Sequence, residues 1–317
     1  QDNLIKNYKK ACKAAEKGKD GIAKLDFIPA SYVLPAEYHL FVQEFRKYPP
    51  ETIWIMKPVA GAQGRGIFLF RKLSHIQEWK KKEVGVSDAL PYVVQAYVDR
   101  PLLVGGKKFD VRLYVLVTSF RPLTAWVHRE GFARFSHSRY STKSVDDAFV
   151  HLTNVAVAKS APDYDPEKGL KWSLSRLIRY LSAQHGSVQV VEMLGRLAGV
   201  IIQSLRCVQS LIIQDSHCFE LYGYDVLFDE NLKPWLLEVN ASPSLTASSQ
   251  EDYELKFRVL NHMLDIINLE RMPMKNEFQV GGFDLLVKAN TPVEKRSEYS
   301  SSTSDFFIPQ PNLRLGQ

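Results

Sequence analysis

An α+β fold is the class this chain predicts, and three observations carry the expectation. Short runs rich in β-branched and aromatic residues recur at 52–57, 67–70, 92–98 and 109–119. Two later stretches repeat their apolar residues at helical spacing: Leu174, Leu177, Ile178 and Leu181 in the first, then Val190, Leu194, Leu197, Ile201 and Leu205. A pair of apolar strands, 221–228 and 235–240, then closes about the turn-forming segment Asp229-Glu230-Asn231-Leu232-Lys233-Pro234.

Taken in order, the chain opens with a basic lead-in, where Lys6, Lys9, Lys10, Lys13, Lys17, Lys19 and Lys24 read as the solvated face of a helix. The strands at 52–57 and 67–70 flank a glycine-bearing loop. Ser74-His75-Ile76-Gln77 has capping-box form and starts a short helix that ends in the lysine run 80–82. Ser173 caps the first long helix and Gly186 closes it. Ser248-Ser249-Gln250-Glu251 opens a last helix through about Ile267, and beyond Thr291 the Ser, Thr and Pro content without apolar period predicts disorder. The expected organisation is a lead-in with the remainder of an amino-terminal subdomain over 1–51 and a central subdomain with the glycine loop over 52–104. A carboxy-terminal subdomain with the strand pair follows over 105–270, and then a largely disordered tail over 271–317.

Composition narrows the class of function. Hydrophobic residues make up 45% and charged residues 24% of the 317, the balance of a globular chain. No apolar run approaches about eighteen residues and no signal-peptide pattern opens the chain, so neither a membrane span nor a secretory signal is expected. The first residue is not methionine, which fits a fragment of a longer product. Cys12, Cys207 and Cys218 are odd in number and lack C-x-x-C spacing, which fits a reducing compartment and argues against structural zinc. A net charge of +6 favours an acidic partner, whether nucleic acid, anionic lipid or acidic polypeptide, without choosing among them.

The second strand pair is the most informative stretch. Glu238 and Asn240 alternate with Val239, so both point to one face of their strand. Folding the pair with Asp229 opposite Pro234 brings Asp225 opposite Glu238 and puts three hard oxygen ligands on one face. Mg²⁺ takes a few carboxylate oxygens and completes its shell with phosphate and water, so the constellation is that of a metal-nucleotide site. Scattered solvated acids would be the plain alternative. The apolar neighbours Val226, Leu227, Phe228, Leu236 and Leu237 oppose it, because acids on buried strands need a reason to be there.

A nucleotide half is legible upstream. Lys57-Pro58-Val59-Ala60-Gly61-Ala62-Gln63-Gly64-Arg65-Gly66 lies between two strands and lacks the G-K-[ST] of a Walker A loop. Its glycines let backbone N–H groups approach phosphate oxygens, Arg65 adds charge, and Lys57 can reach the phosphates as a point charge. Gln95-Ala96-Tyr97-Val98 is a segment whose backbone could hydrogen-bond an adenine ring, although an ordinary buried strand would look the same. In Lys107-Lys108-Phe109-Asp110-Val111-Arg112, Asp110 and Arg112 share a strand face. They form either a structural ion pair or, facing a nucleotide, a ribose contact and a group that stabilises the transferring phosphoryl.

Four motifs occur in order: Met56-Lys57-Pro58 with Gln63-Gly64-Arg65-Gly66, then Lys108-Phe109-Asp110-Val111-Arg112, then His151-Leu152-Thr153-Asn154, and last Leu237-Glu238-Val239-Asn240-Ala241-Ser242-Pro243-Ser244-Leu245. Together they resemble the tubulin tyrosine ligase-like family, and its polyglutamylases most, over about 32–269. The resemblance implies an ATP-grasp fold with ATP held between two α+β subdomains, and a peptide carboxylate activated as an acyl phosphate before an amino acid attacks it. It implies ATP contacts at Lys57, Gln63, Gly64, Arg65, Gly66, Gln95, Ala96, Tyr97, Val98, Lys108, Phe109, Asp110, Thr153 and Asn154. It also implies Mg²⁺ ligands at Asp225, Glu238 and Asn240, with Lys57 and Arg112 acting in catalysis.

In glutamylating members, basic residues clamp the incoming glutamate, and Arg134 in Gly131-Phe132-Ala133-Arg134-Phe135 and Lys171 in Gly169-Leu170-Lys171-Trp172 resemble those positions. An amino acid with a second carboxylate needs extra positive charge in its pocket, whereas glycine does not. The expected partners are therefore acidic tubulin tails and free L-glutamate, rather than nucleic acid or membrane, in the cytoplasm, the cytoskeleton and the cilium or flagellum. The family's amino-terminal subdomain is shortened here and no extended basic region follows Leu269, which leaves room for other subunits of a glutamylase complex. Addition of glycine or tyrosine on the same fold, a non-catalytic microtubule or ciliary scaffold, and a small-molecule carboxylate-amine ligase are the alternatives.

Overall fold

The computed structural model describes residues 2–16, 25–59, 64–76, 91–165, 170–213, 215, 217–269 and 278–293. Its elements are mixed α and β, with antiparallel pairing throughout the registers of its sheets. The chain divides into two compact units. One comprises Gln1–Asp110, Arg134–Leu170 and Leu227–Asn231, the other Val111–Ala133, Lys171–Val226 and Leu232–Gln317.

The first unit is built on a four-stranded sheet. Helix α1 (Asp2–Glu16), strand β1 (Ser31–Leu34), helix α2 (Tyr38–Phe45) and strands β2 (Trp54–Pro58), β3 (Phe68–Phe70) and β4 (Tyr92–Ala96) come first, and the sheet order is β1-β4-β2-β3. Alternation decides what each face carries. Trp54 and Met56 of β2 pack with Phe41, Phe70 and Val94, the Trp54 and Phe41 rings meeting edge to face at 5.1 Å. Ile53 and Ile55 pack with Leu69, Tyr97 and Leu152 in a separate cluster. Each fully buried side chain of this size contributes about 1.5–3 kcal/mol, so register in the sheet is strongly specified. The short β5 (Leu103–Val104) follows, and two short helices, α3 (Ala148–His151) and α4 (Val155–Lys159), carry the residues around Asn154.

The second unit holds a larger sheet with the path β11-β10-β6-β7-β13-β12. Its elements are β6 (Lys107–Phe120), which begins in the first unit, β7 (Leu123–His128), β8 (Phe132–Phe135), whose Arg134 and Phe135 fall in the first unit, and β9 (Lys171–Ser173). Helices α5 (Leu174–His185) and α6 (Ser187–Gln209) come next, then β10 (Glu220–Phe228), β11 (Pro234–Asn240), α7 (Gln250–Ile267), β12 (Gln279–Val280), β13 (Phe283–Lys288) and β14 (Thr291–Pro292). The helix ends follow the expected capping chemistry. Ser173 Oγ accepts from the Arg176 N–H and Ser249 Oγ from the Asp252 N–H, while Gly186 takes φ +88 between α5 and α6. Leu255, Val259, Met263 and Ile266, on one face of α7, pack on Tyr114, Leu116, Trp126, Phe283 and Leu285.

Helix α6 is the one helix among the described residues long and apolar enough, by length and composition, to cross a membrane. Its apolar face is buried in this unit through Val190, Met193, Leu197 and Ile201, as the sequence reading of a core helix requires.

One expectation is corrected. The segment assigned to a disordered tail from 271 contains β12 to β14, and β13 pairs along β7 with Phe283 opposite His128. Phe283, Leu285, Leu286 and Val287 are buried, and this apolar run holds the strand in the sheet. Residues 294–317 lie outside the described residues, as do Lys17, Lys19, Lys24 and the lysine run at 80–82. The β12–β13 turn is tight: Gly281 has φ +55, and a Cβ there would sit 2.2 Å from His262 Cδ2. Gly281→Ala is expected to cost about 2 kcal/mol or more from left-handed backbone strain and this clash, read as a lower thermal midpoint.

Candidate functional site

The nucleotide-type residues of the first unit are held by a buried hydrogen-bond network. Lys57, at the end of β2, is 9% exposed, and its Nζ donates to Gln95 Oε1 at 2.9 Å. Gln95 Nε2 donates to Ser31 Oγ at 2.8 Å, and Ser31 Oγ to the Pro29 carbonyl at 2.6 Å. Register explains the network, since Gln95 of β4 stands opposite both Ser31 of β1 and Ile55 of β2. Gln95 therefore acts here through its side chain, steering the Lys57 ammonium.

The expected adenine segment is partly committed elsewhere. The Ala96 N–H donates to the Ala30 carbonyl and the Tyr97 N–H to the Ile53 carbonyl. Phe109 is fully buried against Phe135, ring centroids 5.6 Å apart, and belongs to packing.

Two of the expected motifs meet in this unit. Gly64 has φ +82, and a Cβ there would lie 3.1 Å from both Asn154 Oδ1 and Val157 Cγ2, so the glycine loop rests against the start of α4. Asn154 is the N-cap residue of α4 but makes no side-chain cap bond. Arg65 and Gly66 are exposed in the turn, Thr153 is buried, and Gln63 lies outside the described residues. Gly64→Ala combines a strained backbone with pressure on Asn154. Nucleotide affinity is expected to fall by about tenfold, the equivalent of 1–2 kcal/mol of left-handed strain, in a titration with ATP.

Asp110 and Arg112 do alternate onto one face of β6, and each takes an acid or base partner from another strand. Arg134 of β8 forms a bidentate pair with Asp110, its Nε 2.9 Å from Oδ1 and its Nη2 on Oδ2. Arg112 pairs with Asp225, Nε to Oδ1 at 2.5 Å and Nη2 to Oδ2 at 2.9 Å, because β10 places Asp225 directly opposite it. Asp110 and Asp225 are each 3% exposed, so loss of either arginine would take a bidentate cation from a buried carboxylate.

The strand pair β10–β11 carries the metal-type donors in the second unit. Glu238 Oε1 accepts from Asn240 Nδ2 at 3.1 Å, and the same amide nitrogen donates to the Gly223 carbonyl at 3.3 Å. The latter bond fits the register that sets Asp225 across from Glu238. With Nδ2 donating inside the strand pair, Oδ1 is the atom of Asn240 that could serve a cation as an acceptor. Asp225, Glu238 and Asn240 could offer two carboxylates and one amide oxygen to Mg²⁺, and a cation at Asp225 would share that carboxylate with Arg112. Among the described residues no three or more His, Cys, Asp and Glu side chains are grouped so as to hold a metal ion.

Lys171 opens β9. Its Nζ lies 2.5 Å from Asp252 Oδ1 and 3.7 Å from the Phe132 ring centroid. Asp252 also takes Lys256 Nζ at 3.0 Å and the Ser248 N–H at 3.0 Å. Lys256 in this cluster escaped the sequence reading. Its signal was an i, i+4 Asp-Lys pair on a helix, which ordinarily means a surface contact.

A lysine-bearing nucleotide-type network, with a hard-oxygen strand pair in the same chain, defines a class of nucleotide-dependent ligase, and the comparisons give it a family. A model of the tubulin-tyrosine ligase family matches residues 1–279, and the chain belongs to that family. It is 70% identical over 317 residues to the probable tubulin polyglutamylase ttll-9 of Caenorhabditis elegans, covering all of this chain and 76% of that protein. To the probable tubulin polyglutamylase TTLL9 of Bos taurus it is 50% identical over 316 residues, 89% of this chain and 68% of the relative. The probable alpha-tubulin polyglutamylase Ttll1 of Tetrahymena thermophila is 44% identical over 287 residues, 84% of this chain and 68% of its own length.

Proposed function

We propose that this chain is a tubulin polyglutamylase, an ATP- and Mg²⁺-dependent ligase of ATP-grasp fold that joins free L-glutamate to glutamate side chains in acidic tubulin tails. The observation that carries the reading is the set Asp225, Glu238 and Asn240 on β10–β11, in a chain 70% identical to a probable tubulin polyglutamylase. The family's ligases use ATP. In the reaction, the γ-phosphoryl of ATP passes to the acceptor γ-carboxylate, and the glutamate amine then displaces phosphate, so that an isopeptide bond, ADP and phosphate result.

Lys57 and Lys108 would meet the nucleotide phosphates as buried point charges, and Asp110 the ribose. Mg²⁺, held by Asp225, Glu238 and Asn240 Oδ1, would offset the phosphate charge. Arg112 would stabilise the transferring group, and Arg134 and Lys171 would hold the second carboxylate of the incoming glutamate. Those two basic positions favour glutamate over glycine or tyrosine as the added residue, and the set Lys57, Asp110, Arg112, Asp225, Glu238 and Asn240 speaks against a passive scaffold, which has no need of buried charge. The cytoskeleton, and the cilium in particular, is the expected location, with other glutamylase subunits as expected partners.

The deciding experiment incubates the protein with ATP, tubulin and labelled glutamate, glycine or tyrosine in separate reactions. Only glutamate should enter, only when the acidic tails are present, and less at raised ionic strength, since screening acts over about 8 Å at physiological salt. Incorporation of glycine or tyrosine, or no incorporation of any, would overturn the reading.

A further inference from the structure

Lys108 is buried on β6, and its ammonium donates to two neutral oxygens, the Tyr97 hydroxyl and the His151 backbone carbonyl, each at 2.9 Å. The Tyr97 hydroxyl lies 3.0 Å from His151 Nδ1, and His151 Nε2 lies 2.8 Å from the Ser144 carbonyl. A carbonyl only accepts, so Nε2 carries the ring proton and Nδ1 accepts. Every bond in the chain is then directed: Lys108 N–H to Tyr97 oxygen, Tyr97 O–H to His151 Nδ1, His151 Nε2–H to Ser144. His151 is 1% exposed and Tyr97 9%, so neither hydroxyl nor ring can trade these partners freely for water.

We propose that Tyr97 and His151 are positioning residues for nucleotide binding, a directed hydrogen-bond chain that aims the Lys108 ammonium and holds it ready for an anionic ligand. This rests on reading Lys108 as a nucleotide contact. An ammonium whose hydrogen bonds end on neutral oxygens stays short of counter-charge, which a phosphate would supply. Tyr97 thus serves through its hydroxyl, whereas the sequence suggested its backbone.

The surroundings give the chain a pH signature. Burial drives the Lys108 pKa down to about 7, with Asp110 opposing and Lys57 assisting. Burial likewise lowers His151, with Ser144 and Asp147 opposing and Lys108 and Arg71 assisting, and it raises Tyr97, beside Tyr140 and Asp99. A bound phosphate favours the charged lysine, so binding takes up a proton near neutral pH, and affinity falls as pH rises above about 7.

The test titrates the full chain with ADP and a non-hydrolysable ATP analogue in buffers of different ionisation enthalpy, across the neutral range. Tyr97→Phe and His151→Leu should each weaken binding by about tenfold and move the pH profile and proton uptake. His151→Gln, which can accept from Tyr97 and donate to Ser144, should restore both. If Lys108→Met weakens binding while Tyr97→Phe and His151→Leu match the wild type in affinity and proton uptake, the positioning role fails. If Lys108→Met binds as the wild type does, the nucleotide assignment of Lys108 fails.

Discussion

Glu238→Gln is expected to remove ATP-dependent glutamate incorporation while the protein stays folded. Glutamine keeps the shape of the side chain, and its carbonyl can still accept from Asn240 Nδ2, a bond of 3.1 Å in the wild type. What disappears is one full negative charge from a donor set that otherwise holds a single carboxylate, itself committed to Arg112 at 2.5 Å. Hard divalent cations are held by carboxylate charge, and their share of charge stabilisation is worth several kcal/mol. Turnover should drop by roughly 10²-fold or more, corresponding to about 3 kcal/mol.

The measurements are incorporation of labelled glutamate, the thermal midpoint, and nucleotide binding without divalent metal. The first should collapse. The other two should hold, because Lys57, Gln95 and Lys108 belong to the other compact unit and keep their own network. Near wild-type turnover in a folded Glu238→Gln protein would remove the metal assignment and, with it, the main support for ligase chemistry.

Where local pattern decides, the sequence was a good guide. The strands at β2, β3, β4 and β6, the cap Ser173, the start of α7 within Ser248-Ser249-Gln250-Glu251, and the core faces of α5 and α6 follow from period and capping chemistry, which act over a few residues. The alternation of Asp110 with Arg112 was equally legible. Their partners were not, because Arg134 and Asp225 reach them through strand pairing between distant segments, and pairing is fixed by register.

The same limit applies at Gln95 and Tyr97. Sequence suggested backbone contacts, whereas the side chains carry the networks to Lys57 and Lys108. The β13 strand (Phe283–Lys288) was missed for another reason: it is six residues long, and what makes it a strand is its pairing along β7, a segment more than 150 residues earlier.

Lys171→Gln is expected to raise the KM for glutamate by about tenfold to a hundredfold, the value of one charge-assisted hydrogen bond of roughly 1.5–3 kcal/mol. The KM for ATP should change little. Asp252 lies between two ammonium groups, Lys171 at 2.5 Å and Lys256 at 3.0 Å. An incoming carboxylate would take the Lys171 ammonium as a partner, and glutamine removes that charge. The substitution leaves Asp252 with Lys256, Ser248 and the α7 amino terminus, so no buried acid is orphaned and the protein should fold.

Acid titration separates a substrate role from a structural one. Burial alone would raise the Asp252 pKa, but the hydrogen bonds from Lys171 and Lys256 outweigh it and hold the group at about 2, below its ordinary 3.8. A depressed carboxyl contributes stability that is complete above 3.8 and is lost as pH falls towards 2. The stability gap between wild type and Lys171→Gln should therefore close over that interval and stay constant near neutral pH. A variant that shows this gap but an unchanged glutamate KM would mark Lys171 as a tether for the start of α7, and the choice of glutamate would then rest on Arg134 alone.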